Sequence, residues 1–479
     1  MSKQTLTPDL CIIGAGSGGL SVAAGASQLG LDTVLLEKAK MGGDCLNTGC
    51  VPSKALLAAG KRAAMHRKDD IKGITAHEPE IDYAAVKDHV EDTIKTIEPH
   101  DSPERFEGLG VNVILKSGKF ISADTLETDE HIIKARKFII STGSRAFVPP
   151  IEGLEFDKVF TNENIFELRE KPDHLLIIGG GPIGVEMAQA HRRLGCQVSV
   201  FDMGPILPRD DQSNVEIVRQ ALLDEGVELY ERVSVKQVQH SGANKVALVI
   251  EQDGKEETIS GSHLLVAAGR RPNVEDLGLE EAGITYDRPG ITVNESLKTS
   301  NPKVWAIGDV CGGPQFTHVA GYHAGVIIRQ VCFAMFWAKV DYTALPWVTY
   351  TDPELAQVGL TEVAAVEKYG RDNVKVSEWH FDENDRAIAE RTTKGQIRVI
   401  TNKKGRILGA SIVGPNGGEL IGLWALAISS KQKLSAITGM IAPYPTLGEA
   451  SKRAAGAWYT PSLFSNKTRR IVKILQKFT

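Results

Sequence analysis

Short apolar runs that stop at a glycine, each followed by a stretch of small residues, recur along this chain and set its expected architecture. The first, Asp9-Leu10-Cys11-Ile12-Ile13, passes into Gly14-Ala15-Gly16-Ser17-Gly18-Gly19 and an alanine-rich segment, and then Thr33-Val34-Leu35-Leu36-Glu37 follows. An unbroken apolar run predicts a strand buried on both faces of a parallel sheet, because a half-solvated strand would alternate. Gly14, Gly16 and Gly19 allow the tight turn, the approach of a pyrophosphate to a helix N-terminus, and close helix packing. Glu37, at the end of the second strand, suits a ribose hydroxyl pair.

The same unit returns. Leu175-Leu176-Ile177-Ile178 enters Gly179-Gly180-Gly181-Pro182-Ile183-Gly184, a helical stretch follows, and Gln197-Val198-Ser199-Val200-Phe201-Asp202 closes it, with Asp202 at the same offset from Gly184 as Glu37 from Gly19. One glycine pattern is weak evidence, but strand, glycines, helix, strand and acid repeated in order predict two dinucleotide sites. Two nucleotides in one chain imply electrons passing between them, most simply from a nicotinamide and a flavin. Asp202 would accept from a 2′-hydroxyl and repel a 2′-phosphate, and neither Phe201 nor Met203 adds a positive charge, so NADH is favoured over NADPH; Arg192 and Arg209 are the bases that could oppose this.

Between the repeats, residues 60–150 hold charged helical stretches and then strands ending at Lys137-Phe138-Ile139-Ile140-Ser141-Thr142-Gly143-Ser144. A partner run, Leu264-Leu265-Val266-Ala267-Ala268-Gly269-Arg270-Arg271-Pro272-Asn273, closes the second unit. Lys303-Val304-Trp305-Ala306-Ile307-Gly308-Asp309 offers a strand ending in one acid, either an acceptor for a polyol hydroxyl or a plain turn aspartate. From about Leu345 the texture changes to alternation, as in Gln396-Ile397-Arg398-Val399-Ile400 and Ile407 to Val413, which predicts an antiparallel sheet with helices between. The expected class is α/β, two Rossmann-like dinucleotide-binding domains followed by an α+β C-terminal domain.

Length and charge narrow the function. A chain of 479 residues holds about three domains, and 42% hydrophobic with 24% charged residues describes a globular protein. Its net charge of −5 gives no basic field for nucleic acid. Met1 to Leu10 lacks a signal-peptide layout, and Val326 to Val340 is broken by Arg329 and Lys339, so a cytoplasmic protein is expected. The end of the chain, Ser465 to Thr479, carries Lys467, Arg469, Arg470, Lys473 and Lys477 with no acid, and Ile471, Ile474, Leu475 and Phe478 share a helical face. Such a segment either lies on an anionic membrane surface or packs on its own dimer.

The candidate chemistry sits in Gly42-Gly43-Asp44-Cys45-Leu46-Asn47-Thr48-Gly49-Cys50-Val51-Pro52-Ser53-Lys54. Pro52 and the alanines and leucines after it place Cys50 near a helix N-terminus, where the partial positive charge and Lys54 favour thiolate. Two such cysteines fit redox chemistry, small buried hydrophobes, or half of a zinc site. Zinc would need a second ligand pair, and Cys11, Cys196, Cys311 and Cys332 supply none, so no metal is expected.

Together these stretches resemble the FAD-dependent pyridine nucleotide-disulfide oxidoreductases, the group of dihydrolipoamide dehydrogenase, glutathione reductase and mercuric reductase. The resemblance runs through nearly the whole chain and rests on the first glycine motif with Glu37, the cysteine motif, Ser141-Thr142-Gly143, the second glycine motif with Glu186, Gly269-Arg270-x-Pro272-Asn273 and Ala306-x-Gly308-Asp309. It implies an FAD domain at 1–154 and 275–344, an NAD(H) domain at 155–274, a dimerisation domain at 345–462 and a tail at 463–479. It further implies FAD held by Glu37, Gly43, Asp309 and Thr317, a Lys54–Glu186 pair beside the flavin, a Cys45–Cys50 redox disulfide with Cys50 nearer the ring, and Cys45 as the sulfur that attacks substrate. A two-fold dimer would bring the segment around Tyr444 to the partner's site.

In one position the chain departs from that pattern. Dihydrolipoamide dehydrogenase and glutathione reductase carry His-Pro-Thr with a glutamate three residues on, whereas this chain has Tyr444-Pro445-Thr446 and keeps Glu449. A phenol near pKa 10 donates but hardly accepts a proton at neutral pH. Tyr444 and Asp385-Arg386-Ala387 look closer to mercuric reductase, although no cysteine follows Cys332 to form that enzyme's C-terminal pair. The expected activity is an NADH-dependent disulfide reductase acting on a small or protein-bound disulfide. Alternatives are reduction of a metal ion or quinone, with the cysteines as relay or sensor, and a redox-responsive binding partner at a membrane.

Overall fold

The computed structural model describes residues 3–155, 159–240 and 245–478; Met1, Ser2 and Thr479, the ends of two stretches read above, lie outside the described residues. The chain forms two compact units, one of residues 1–59, 81–179 and 235–340, the other of residues 60–80, 180–234 and 341–479. It is a mixed α/β protein of the two-dinucleotide-fold class with an α+β C-terminal part.

In the first unit, five parallel strands pair in the order Val304–Ala306, Lys137–Ile140, Leu10–Ile13, Thr33–Leu36, Val111–Ile114. Successive side chains of a strand point to opposite faces, so an unbroken apolar run feeds two cores. Leu10, Ile12, Leu35, Ile139 and Trp305 pack with Leu20, Val22 and Ala26 of helix Ser17–Gln28 and with Ala324, Val326 and Ile327 of helix Thr317–Val331. Cys11, Ile13, Val34, Leu36, Phe138 and Ile140 face the other way, onto Phe120, Leu126, Ile133, Leu279 and Ile291. Three more parallel strands, Val159–Phe160, His263–Val266 and His174–Ile178, lie side by side in this unit.

The second unit holds the parallel pair Gln197–Asp202 and Glu228–Glu231 and an antiparallel sheet ordered Pro346–Thr349, Glu354–Gly359, Ile407–Gly414, Gln396–Asn402, Val374–His380. One face of that sheet, through Ala356, Val358, Ile397, Val399, Ala410 and Ile412, packs on Ile421, Trp424 and Ile428 of helix Gly417–Ser429 and on Ala450 and Ala454 of helix Glu449–Ala457. The polar positions of the alternation do not face water. Gln396 donates to Asn214 at 2.9 Å, Asn214 donates to Ser411 at 2.7 Å, and Arg398 is paired with Asp211 and Glu362. Helix Gln212–Asp224 thus contributes partners to the polar second face at Gln396, Arg398 and Ser411, which is how those buried groups escape the desolvation cost; the amide oxygen of Gln357 on the same face is buried without one.

Candidate functional site

The first glycine loop is shaped for something that lies outside the chain. Gly14 has φ +103°, and a Cβ there would stand 2.6 Å from the Ser141 carbonyl; a Cβ on Gly19 would reach the Gly14 carbonyl at 1.9 Å. These two glycines are required by the backbone itself. Gly16 is not: its φ is −79°, a Cβ there would meet nothing within 4 Å, and it begins helix Ser17–Gln28 without any side-chain cap. A bare helix N-terminus with open space before it suits a phosphate group. Glu37 accepts the N–H of Ala15 at 2.8 Å and that of Ala39 at 2.8 Å, so its carboxylate fastens the loop at the end of its strand.

The second glycine motif repeats these features at its first two glycines and at its acid. Gly179 has φ +117° and a Cβ there would meet the Ala267 carbonyl at 2.3 Å. Gly181 has open space around it and begins helix Pro182–Arg193 with no side-chain cap, and Gly184 is buried in that helix. Asp202 accepts the N–H of Gly180 at 2.6 Å and that of Gly204 at 2.7 Å, as Glu37 does for Ala15 and Ala39. Both loops therefore fit a dinucleotide pyrophosphate.

Around the cysteines the first unit is tightly braced. Gly43, at φ +57°, begins the short helix Gly43–Asn47, and a Cβ there would lie 2.8 Å from the Gly16 Cα, so the cysteine segment rides on the glycine loop. Asp44 accepts from Thr48 at 2.8 Å and from Asn162 at 3.0 Å, and pairs with Arg270 at 3.1 Å. Cys50 is the first residue of helix Cys50–His66, its sulfur 3.2 Å from the Thr317 hydroxyl at the start of helix Thr317–Val331. Neither cysteine is in a disulfide. A hydrogen bond from Cys45, with help from Thr317 and Lys54, pulls the Cys50 thiol down to about 6, while that same bond and burial push Cys45 up. The pair keeps one proton and one negative charge, held mainly on Cys50.

Asp309 follows strand Val304–Ala306 and accepts the Ser144 hydroxyl at 2.6 Å, with Arg270 Nε at 3.7 Å; burial raises its carboxyl above the ordinary range. Arg270 also donates to the Ser144 hydroxyl at 2.7 Å and carbonyl at 2.9 Å, and so links the acid beside Cys45 to Asp309. Thr142 and Asn273 bond each other in both directions, Thr142 donating at 2.8 Å and Asn273 at 2.9 Å, which clips Ser141-Thr142-Gly143 to the segment beginning at Gly269. Gly143, at φ +66°, and Gly269, at φ +126°, both face open space. The sequence showed Asp44, Ser144 and Arg270 only as members of motifs; that each is a charged or polar group in need of a partner was the signal for this bracing.

In the second unit Glu186 is buried on helix Pro182–Arg193 and accepts the N–H of Tyr350 at 2.9 Å. Tyr444 is exposed, and its hydroxyl donates to Asp385 at 2.8 Å; the carboxylate beside it raises the phenol further above its ordinary value. Glu449 opens helix Glu449–Ala457 and pairs with Arg453 at 2.9 Å. Asp385, which the sequence offered only as part of a short resemblance, is thus the residue that fixes Tyr444. Lys54 lies one turn into the helix of Cys50, its Nζ 3.4 Å from the Ser53 hydroxyl. No group of three or more His, Cys, Asp or Glu side chains suited to a metal ion occurs among the described residues.

Comparison with known proteins gives the family of the chain. The family model described as pyridine nucleotide-disulphide oxidoreductase matches residues 8–324, and that of the family's dimerisation domain matches residues 345–455. A mercuric reductase of Lysinibacillus sphaericus is 34% identical over 93% of this chain and 82% of its own. A dihydrolipoyl dehydrogenase of Geobacillus stearothermophilus is 34% identical over 93% of this chain and 94% of its own. Among solved structures, the HOCl-induced flavoprotein disulfide reductase RclA from Escherichia coli superposes with a TM-score of 0.83 at 26% identity, over 94% of this chain and 99% of that one; its Cu(II) complex gives 0.82.

Proposed function

This chain belongs to the FAD-dependent pyridine nucleotide-disulphide oxidoreductases, and from that premise we propose that it is an NADH-dependent reductase of disulfides, working as a homodimer in the reducing cytoplasm. FAD is assigned to Gly14, Gly16, Gly19, Glu37, Gly43, Thr142, Gly143 and Asp309, with Lys54 and Thr317 toward its reacting end, and NADH to Gly179, Gly181, Gly184, Asp202 and Gly269. When bound, the two cofactors supply the electron pair that reduces a Cys45–Cys50 disulfide.

The observation that carries this reading is the dithiol itself. The reduced pair holds one proton and one negative charge, so Cys45 becomes the attacking thiolate when its proton passes to Cys50, a step that the low Cys50 value makes uphill. Cys45 attacks the substrate disulfide and forms a mixed disulfide, and the first substrate thiol leaves with a proton. Cys50, having passed that proton to the first leaving sulfur, attacks the Cys45 sulfur as thiolate, re-forms the Cys45–Cys50 bond and releases the second sulfur as a thiolate that takes its proton from water. One substrate disulfide becomes two thiols for each electron pair. Tyr444 and Glu449, from the partner subunit of the dimer, complete the substrate face.

A second reading is favoured by one observation. Asp385 holds the Tyr444 phenol as a hydrogen-bond donor, so it offers no base for oxidising a dithiol. A metal ion or a quinone needs none, and the similar proteins include mercuric reductases. Replacing Cys45 by serine separates the two readings. Loss of NADH-driven disulfide reduction together with quinone reduction supports the first scheme's cysteine relay for both. Loss of disulfide turnover with undiminished quinone or metal reduction assigns the physiological acceptor to the second.

A further inference from the structure

The last described helix of the chain, Asn466–Leu475, buries none of its side chains among the described residues. Helix Asn466–Leu475 is fixed at its start, where Ser465 accepts the Thr468 N–H at 3.2 Å and the Thr468 hydroxyl donates to the Ser462 carbonyl at 2.8 Å. Its apolar stripe faces outward: Ile471, Ile474, Leu475 and Phe478 are 46%, 57%, 57% and 84% exposed. Leu463 and Phe464, just before the cap, are exposed as well. Arg469, Lys473 and Lys477 lie away from the stripe, Arg470 borders it, Lys467 stands at its N-terminal end one turn before Ile471, and none of the five has an ion-pair partner among the described residues. The match to the family's dimerisation domain ends at residue 455, before this segment begins.

We propose that this tail docks the protein on an anionic lipid surface. The stripe would enter the boundary between headgroups and acyl chains, and the cations would meet lipid phosphates, with the stem of Lys467 passing along the apolar edge. The helix is too short to span a bilayer and lies in its plane; no described helix of the protein is long and apolar enough to cross a membrane. Charge rules out the tail of a second copy as the occupant and favours an anionic surface. Two copies of the tail meeting each other would bring five cations against five, whereas an anionic bilayer neutralises them all. The rest of the chain is more acidic than the whole and is repelled by that surface, so contact is confined to the tail.

The test is sedimentation of the FAD-loaded full chain with vesicles of phosphatidylcholine alone or mixed with phosphatidylglycerol. The expected result is binding to the anionic vesicles only, released by high salt. Each single cation changed to glutamine should weaken binding about fivefold. Changing all five together, or Ile471→Ser with Ile474→Ser, should abolish it, with NADH oxidation unchanged as the control for folding. Failure of the unmodified protein to bind anionic vesicles overturns the proposal, as does equal binding by the five-glutamine variant. A tail variant that turns dimer into monomer in sedimentation equilibrium, without any vesicle binding by the parent, assigns the helix to a second copy instead.

Discussion

The most direct probe of the redox pair is Thr317→Val, which removes the hydroxyl 3.2 Å from the Cys50 sulfur and keeps the side chain's shape. Three influences on Cys50 survive it: the hydrogen bond from Cys45, which is the largest, the nearby Lys54 charge, and the helix N-terminus. A hydrogen bond to a charged sulfur contributes about 1.5 kcal/mol at the low end of the charged range, and about 1.4 kcal/mol corresponds to one pKa unit. The thiolate midpoint, about 6 in the parent, should therefore move to about 7. Ultraviolet thiolate absorbance of the reduced protein reads this midpoint. In the flavin-free protein, where no ring stands against Cys50, stopped-flow reaction of that sulfur itself with a small aromatic disulfide, distinct from the Cys45 attack of turnover, gives a second signature. A more basic thiolate is intrinsically about threefold more nucleophilic per unit, but at pH 6 only about a tenth of it is ionised rather than half. The variant should react about half as fast as the parent near pH 6 and about threefold faster at high pH, so the two profiles cross. A parent midpoint near the ordinary thiol value of about 8.5, or profiles that coincide, would refute the assignment of the charge to Cys50.

Other substitutions test the cofactor loops and the buried acids. Gly16→Ala places a methyl in open space and should leave the melting temperature of the flavin-free protein unchanged while FAD content falls; Gly14→Ala, whose Cβ would meet the Ser141 carbonyl at 2.6 Å, should lower stability itself. Asp202→Asn keeps an acceptor for the Gly180 N–H but loses the charge, and should narrow the ratio of kcat/KM for NADH over NADPH by about tenfold; an unchanged ratio would place nucleotide choice elsewhere. Asp210, beside the Trp347 indole that donates to it at 2.7 Å, is raised by burial to about 6. Because its folded value lies above the unfolded one, stability present at low pH is lost as pH rises from about 4 to 6, up to about 3 kcal/mol. Asp210→Asn should match the parent in urea near pH 4 and exceed it at pH 7.

The parallel sheet of the first unit was legible because its signal is local. Leu10 to Ile13 must be apolar on both faces, and no distant residue changes that. The glycine loops were legible for a related reason, since Gly14 and Gly179 answer a backbone demand that only glycine meets. Partners across long sequence separations were not. Arg398 sits in an alternating strand and reads as solvent-facing, yet it is buried against Asp211 and Glu362, because nothing in a charged residue's own neighbourhood marks which helix will cover it. Tyr444 shows where this matters for function. Its identity alone argued against a base at that position, but an isolated phenol could still be tuned downward by a neighbouring cation. The structure supplies the opposite neighbour, Asp385, from 59 residues away, and a carboxylate accepting the hydroxyl proton makes that proton harder to remove. The departure from histidine is therefore reinforced rather than compensated, because the neighbour of the phenol is an acid and not a cation.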